Sequence, residues 1–239
     1  MLLMPLDNVI ILALLSEDGN YLAVIDTDYR EAMSTWDACP QRYARDSPLD
    51  VLFVMELKGK TGSYEVFIQR GAATTAAKLG MPDLAIATLP NFVQNATVIT
   101  GLGYSTPLIA DADTGFGGPA MLARTVQMYD RAGVAALHIE YQLQTKRCGH
   151  LLGKQVVSTE EFVTRIRAAI QARDAIPGSD IVVIARTDSA QVLGMDEAIR
   201  RLQAAASVGG DVAFIEGVKA KELLEKIVKA LHPTPVSTK

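Results

Sequence analysis

Two aspartates stand two residues apart in "DADTGFGG", residues 111–118, at the end of an apolar run. Side chains alternate along an extended chain, so Asp111 and Asp113 point the same way and can share one small cavity. Carboxylates that close repel unless positive charge lies between them. A hard divalent cation bound through oxygen supplies that charge. The chain has only three histidines and two cysteines, too few for a zinc-type ligand set, which leaves Mg2+, or else Mn2+, as the natural occupant. Gly115, Gly117 and Gly118 fit either a close backbone approach to a ligand or a tight strand-to-helix turn, and spacing alone leaves both open. The order of residues is neither a Walker loop nor a dinucleotide fingerprint.

A second cluster lies in "LHIEYQLQTKRCGHLLGK", residues 137–154. Lys146, Arg147, His150 and Lys154 surround Cys148, and nearby positive charge favours a thiolate. The same charges attract a carboxylate. Cys148 can therefore be an acid/base or nucleophile on a loop over a metal-bound anion; the alternative is a chance cysteine in a solvated basic loop.

These residues need a frame. From residue 107 onward, nearly continuous apolar runs at 107–111, 134–140, 181–188 and 212–217 alternate with amphipathic stretches. That pattern indicates repeated βα units and a parallel sheet covered on both faces. Pro119 opens one helix, with Leu122, Val126 and Tyr129 on one side and Gly133 as its stop. Ser158 and Glu161 form a capping box ahead of Phe162, Val163, Ile166, Ala169 and Ile170. Further helical patterns cover 195–208 and 219–231, and "HPTPVSTK" ends where another strand can start. Upstream, 8–15, 21–27 and 51–57 read as strands, while 30–50 show no firm period. In a parallel barrel the C-terminal strand ends converge on one mouth. Those ends carry Asp111 and Asp113, then His138 and Glu140, then Arg186 and Asp188, then Glu216. One charged end is ordinarily a helix cap or a loop ion pair; four in succession point to a site.

The length, 239 residues with 49% hydrophobic, suits a single α/β barrel domain over 1–239. A net charge of −4 gives no broad cationic face for nucleic acid or lipid headgroups, so a small molecule is the expected partner. Cys39 and Cys148 make no disulfide framework. A reducing compartment is expected, the cytoplasm first and the mitochondrion second. The apolar opening is interrupted by Pro5 and Asp7 and reads as a buried strand rather than a secretory signal or membrane span.

With both motifs identified, the chain resembles the isocitrate lyase/phosphoenolpyruvate mutase superfamily, in its 2-methylisocitrate lyase, 2,3-dimethylmalate lyase and oxaloacetate hydrolase branch and particularly its fungal members. The resemblance rests on "GAATTAAKLGMPDLAIATL" (71–89), "PLIADADTGFGGP" (107–119), "HIEYQLQTKRCGHLLGK" (138–154) and "IVVIARTDS" (181–189), and runs over 71–235. It implies a (β/α)8 TIM barrel, divergent over 1–70 and incomplete at its C-terminus, in a homo-oligomer. It implies Mg2+ held by Asp83, Asp111, Asp113 and Glu140. A small carboxylate substrate would lie among Arg70, Gly71, Ala72, Lys146, Arg147, Gly149, His150, Arg186 and Glu216. Cys148, Arg186, His138 and Glu140 would act in catalysis, with Cys148 protonating the carbanion-like product as a carbon–carbon bond breaks.

Three features depart from the family pattern. The usual "HIEDQ" has Tyr141 in place of its aspartate, which is expected to remove a negative charge beside the site and add bulk. Arg70 replaces a small hydroxyl residue. The chain stops near a point where relatives continue through further strands, which would leave an open barrel with unpaired edges. The sequence therefore supports a Mg2+-dependent carbon–carbon lyase or hydrolase for a small 2-hydroxy or 2-oxo acid. Its alternatives are a catalytically silent relative that binds an acid or a partner, and phosphonomutase-type chemistry.

Overall fold

The computed structural model describes residues 14–15, 21–23, 52–59, 62–102, 106–146, 153–216, 218 and 220–238. Two short strands, β1 (Leu14–Leu15) and β2 (Tyr21–Ala23), pair antiparallel. They fall within the segments expected as strands; the rest of 1–51 lies outside the described residues. Next come the hairpin of β3 (Leu52–Gly59) and β4 (Gly62–Gln69), then α1 (Gly71–Leu79) and α2 (Leu89–Thr100). From there strand and helix alternate: β5 (Leu108–Asp111), α3 (Pro119–Arg131), β6 (Ala136–Glu140), α4 (Thr159–Asp174), β7 (Val182–Thr187). A short α5 (Ala190–Leu193) precedes α6 (Met195–Ala206), β8 (Val212–Ile215), α7 (Lys221–Leu231) and β9 (Val236–Thr238).

Strands β3 to β9 form one sheet in chain order, parallel from β4 onward, with β3 added antiparallel at one edge. It is a half-barrel of the TIM type with helices packed against it, in agreement with the incomplete barrel expected from the sequence. The expected strands and helices from 107 onward are all present, and the final "VST" forms β9. Strand β4 and helices α1 and α2 were not anticipated, although Thr88 and Asn91 form a reciprocal capping box with Pro90 beside it.

Strict alternation divides the buried residues into two cores. Val66, Ile109, Ala136, Ile184 and Val212 face the barrel interior together. Their neighbours Phe67, Leu108, Ala110, Leu137, Ile139, Val183, Ala185 and Ala213 face the helices. There they meet the stripes that periodicity assigned, Leu122, Val126 and Tyr129 on α3 and Phe162, Ile166 and Ala169 on α4. Burial of each large apolar side chain contributes about 1.5–3 kcal/mol, so a one-residue slip of any strand would exchange the two faces at great cost.

Candidate active site

The interior positions of each strand turn from apolar to ionic toward the C-terminal end. Along β6, Ala136 belongs to the inner core, while the next two inward residues are His138 and Glu140. Along β7 and β8 the same step leads from Ile184 to Arg186 and from Val212 through Phe214 to Glu216. Asp111 ends β5 in register with His138, and Glu140 is in register with Arg186. Strand pairing alone therefore sets these groups side by side.

Asp111 is held from several directions. Its Oδ2 accepts from the Gly71 N–H at the start of α1 (2.9 Å), its Oδ1 accepts from the Asp113 N–H (2.8 Å), and its own carbonyl accepts from the Tyr129 hydroxyl (2.5 Å). A Cβ on Gly71 would lie 2.7 Å from Asp111 Oδ2, so only glycine lets the helix approach this closely. Gly115 serves differently: its φ is 91° and a Cβ there would meet Leu122 at 2.4 Å. Of the two uses open for this glycine, the structure displays the strand-to-helix turn.

One carboxylate oxygen from each of Asp111, Asp113 and Glu140 lies within 4.8 Å of the others, and all three residues are buried. Asp83 joins the group through Lys146, whose Nζ lies 2.7 Å from Asp83 Oδ1, 2.5 Å from Asp113 Oδ1 and 3.8 Å from Glu140 Oε1. Glu140 Oε2 also accepts from Gln142 Nε2 at 2.6 Å. Arg186 sits behind, 3.3 Å from Asp188, 3.7 Å from Glu216 and 3.8 Å from Glu140, with its guanidinium 5.3 Å from the Phe214 ring centre. Lys154 approaches Asp188 to 3.6 Å. A cavity of about 280 Å3 opens beside the acidic group, between Asp113 and Lys146 on one side and Leu89, Pro90, Phe116 and Met121 on the other.

The electrostatics divide the acids. Burial alone would raise the Asp111 carboxyl, but His138, Lys146, Arg186 and the Asp113 N–H bring it down to about 2. Burial, more than the opposing pull of Asp111, lowers the His138 imidazole to about 4. His138 is thus neutral at pH 7 but charged at the lower pH where Asp111 takes up its proton, so its imidazolium joins Lys146, Arg186 and the N–H in holding Asp111 down. Burial and the adjacent Asp111 push Asp113 well up, against Lys146; burial also raises Glu140, against Arg186 and Lys146. An acidic pair pushed apart in this way can hold and release a proton or share a cation. The all-oxygen donor set fits a hard divalent ion. Asp83 Oδ1 and Asp113 Oδ1 are buried and both face the single positive charge of the Lys146 ammonium.

The sequence-assigned residues are distributed unevenly around this centre. Asp111, Asp113, Glu140, His138, Arg186, Glu216, Asp83 and Lys146 come together as described. Gly71 meets the centre through its amide. Arg70 is half-buried at the end of β4, and Ala72 is exposed on the first turn of α1. Arg147, Cys148, Gly149 and His150 lie outside the described residues.

The expectation for Tyr141 is corrected. Alternation turns its ring outward, away from Glu140, into the helix-facing core against Phe162, with the Arg201 guanidinium 5.5 Å from its ring centre. It therefore takes no room from the inner site. Reasoning from the sequence also passed over Gln142, Tyr129, Arg165 and Arg201. Arg165 donates to the Glu140 and Gln142 carbonyls (3.2 and 2.7 Å), and Arg201 donates to the Val157 carbonyl (2.7 Å). Between those points the chain leaves and returns through a neck formed by the Gln142–Val156 bridge and by Leu143 N–H to the Gln155 carbonyl. Of these, only Tyr129 gave a sequence signal, as a member of the α3 apolar stripe.

Residues 33–239 match the family model described as phosphoenolpyruvate phosphomutase. A 2,3-dimethylmalate lyase from Eubacterium barkeri is 38% identical over 169 residues, 71% of this chain and 57% of that protein. A 2-methylisocitrate lyase from Escherichia coli (strain K12) is 38% identical over 193 residues, 79% of this chain and 64% of that protein. Among solved structures, a 2,3-dimethylmalate lyase superposes with a TM-score of 0.69 at 54% identity, covering 71% of this chain and 56% of that one. Oxaloacetate acetylhydrolase in complex with the inhibitor 3,3-difluorooxalacetate gives 0.68 at 52%, covering 71% and 57%. The chain spans 57% and 64% of the lengths of these two curated relatives. By the family model, the sequence relatives and the half-barrel they share, the chain belongs to the phosphoenolpyruvate mutase/isocitrate lyase superfamily.

Proposed function

We propose that this protein is a Mg2+-dependent lyase or hydrolase that cleaves a carbon–carbon bond in a small 2-hydroxy or 2-oxo di- or tricarboxylate. The observation that carries this reading is the convergence of Asp111, Asp113 and Glu140 at the strand ends, with Arg186 behind them. When bound there, the ion would supply a Lewis acid for the substrate's carboxylate and neighbouring oxygen and would offset charge developing on the leaving fragment. Asp111, Asp113 and Glu140 would hold it, with Asp83 alongside. Arg186 would grip a substrate carboxylate through its fork of N–H donors, steadied from below by Phe214. His138, neutral at pH 7 and 3.6 Å from Asp111, would leave the charge of that carboxylate to the ion. By the resemblance of its "KRCGH" segment, Cys148 would donate the proton to the departing carbon.

The named substrates of the relatives, 2-methylisocitrate, 2,3-dimethylmalate and oxaloacetate, are the compounds to assay. Turnover of one of them that EDTA abolishes and Mg2+ restores, and that Cys148→Ser removes while binding of oxalate persists, is the expected result. Calorimetry in which oxalate binds neither with nor without Mg2+ refutes the reading and favours a silent relative. The proposal includes a cytoplasmic setting, since the bacterial relatives have no mitochondrion, and self-association. Supporting self-association, Leu79, Met81, Leu84, Ile86 and Val98 are exposed along α1, α2 and their connection; light scattering at micromolar concentration tests it. Among the described residues, no helix is long and apolar enough to cross a membrane.

A further inference from the structure

Lys146 occupies an unusual position for a residue of a basic loop. Its side chain is 2% exposed and its ammonium contacts Asp83 and Asp113 within 2.7 Å, with Glu140 at 3.8 Å. Asp113 and Glu140 are two of the three residues whose oxygens converge closely enough to hold a metal ion. A monovalent ammonium and a divalent cation therefore draw on the same oxygens. The ammonium is held there by charge, one cation set among three carboxylates. The contact is also built from a separate part of the chain: Lys146 lies four residues beyond the Gln142–Val156 neck, which Arg165 pins through the Gln142 carbonyl. Glu140 ends β6 and Asp113 follows β5 by two residues, so both are set by the sheet, while the lysine stem has rotatable bonds to move along.

We propose that Lys146 is an internal counter-ion that competes with the divalent metal for Asp113 and Glu140, and that it couples metal binding to anion binding. This inference rests on the metal reading given above. When the divalent ion takes the shared oxygens, the ammonium is released toward the mouth, where the anionic substrate enters. Metal alone must displace a buried ion pair and binds weakly. Metal together with a carboxylate gives the displaced ammonium a new partner and binds tightly. By linkage, the anion is tightened by the metal to the same degree.

Two measurements test the competition. Calorimetry of Mg2+ with and without oxalate compares the wild type with Lys146→Met, which keeps the stem and removes the charge, and with Lys146→Arg, which keeps the charge. Lys146→Met is expected to bind Mg2+ alone at least about tenfold more tightly, since a competing state has been removed, and to lose most of the oxalate enhancement; Lys146→Arg should remain close to the wild type. Equal or weaker Mg2+ binding by Lys146→Met overturns the competition while leaving the metal reading intact. Absence of Mg2+ binding in every form, with or without oxalate, overturns both. The second measurement uses the wild type only and is independent of how the variants fold: acetylation of Lys146 by acetic anhydride, followed by mass spectrometry. Mg2+ should speed labelling of Lys146 relative to other lysines; unchanged or slower labelling refutes displacement.

Discussion

Glu140 and Tyr141 are neighbours at the end of β6, yet they belong to different regions of the protein. Glu140 faces the barrel interior among Asp111, Asp113, Lys146 and Arg186, where charged groups answer one another. Tyr141 faces the helices, where the buried charges nearby, Arg165 and Arg201, donate to backbone carbonyls and to Glu161 and Glu197 on their own helices. Both regions bury ions, which is expensive unless each is paired. On the outer face the pairing consumes the donors in holding the chain. On the inner face the acids outnumber what Lys146 and Arg186 can neutralise, and the surplus is capacity for a cation. The same strands thus carry a structural face and a chemical face, separated by a single residue of register.

The comparison breaks first if Asp111 proves dispensable for binding. Asp111→Asn removes the acid held lowest in the cluster, so Mg2+ affinity should fall by on the order of 100-fold, the upper end of what supporting groups around a metal contribute. Calorimetry reads the affinity, and a thermal melt in EDTA checks that the fold survives. A variant that binds Mg2+ as the wild type does would show that the inner surplus is not a cation site.

His138 gives the inner face a pH signature that the outer face lacks. The unfolded imidazole takes its proton near the ordinary 6.5, while the buried one resists until about 4. Between those values the unfolded chain binds more protons, so stability rises with pH. This contribution is complete above 6.5 and is lost as pH falls to 4. The difference amounts to roughly 3 kcal/mol. Asp111, lowered to about 2 from 3.8, acts in a separate window, its contribution present above 3.8 and lost as pH falls to 2. Urea unfolding of the wild type and His138→Gln at pH 7 and pH 4.5 should show the upper slope in the wild type and its loss in the variant. Parallel curves would mean that His138 is protonated in the fold.

How much of this was legible in the sequence follows from the range of the forces involved. Strands β5 to β8 were readable because a strand covered on both faces needs an unbroken apolar run, and their charged ends stood out against it. The α3 and α4 stripes were readable because a helix repeats within its own length. Strand β4 was missed although Tyr64, Val66 and Ile68 alternate there and its hairpin partner overlaps the 51–57 run read as a strand, because alternation over so few residues carries little signal until the two are paired. Lys146 was read as part of a basic loop; its place among acids depends on Asp83, Asp113 and Glu140, which lie on three separate segments. Arg165 and Arg201 look like ordinary polar positions on amphipathic helices. Their partners lie 23 and 44 residues away, at the Gln142 and Val157 carbonyls, and no local period reports them.

On the outer face, Arg201→Met should destabilise without touching the site. The change keeps most of the apolar stem over Tyr141 but strands the Val157 carbonyl, an unsatisfied buried acceptor worth about 1–3 kcal/mol. Urea unfolding should register that loss while Mg2+ affinity stays at the wild-type value. A fall in affinity would mean that the neck transmits strain to Glu140, and the two faces would not be separable.

The smallest effect is expected from the residue that first looked most disruptive. If Tyr141 intruded on the site, Tyr141→Phe would alter metal or oxalate binding. Its ring is fully buried in the outer core, between Phe162 and Arg201, and its hydroxyl is directed toward Thr187 and Ser189, whose hydroxyls bond each other at 2.8 Å. Removing the hydroxyl keeps every apolar contact and leaves Thr187 and Ser189 bonded to each other, so stability should change by no more than about 1 kcal/mol. Mg2+ and oxalate affinities should be unchanged. A stability loss beyond that range would show that Thr187 and Ser189 depend on the phenol. Altered binding would carry more weight, because it would place the phenol on the inner side of β6 and remove the register on which the separation of the two faces depends.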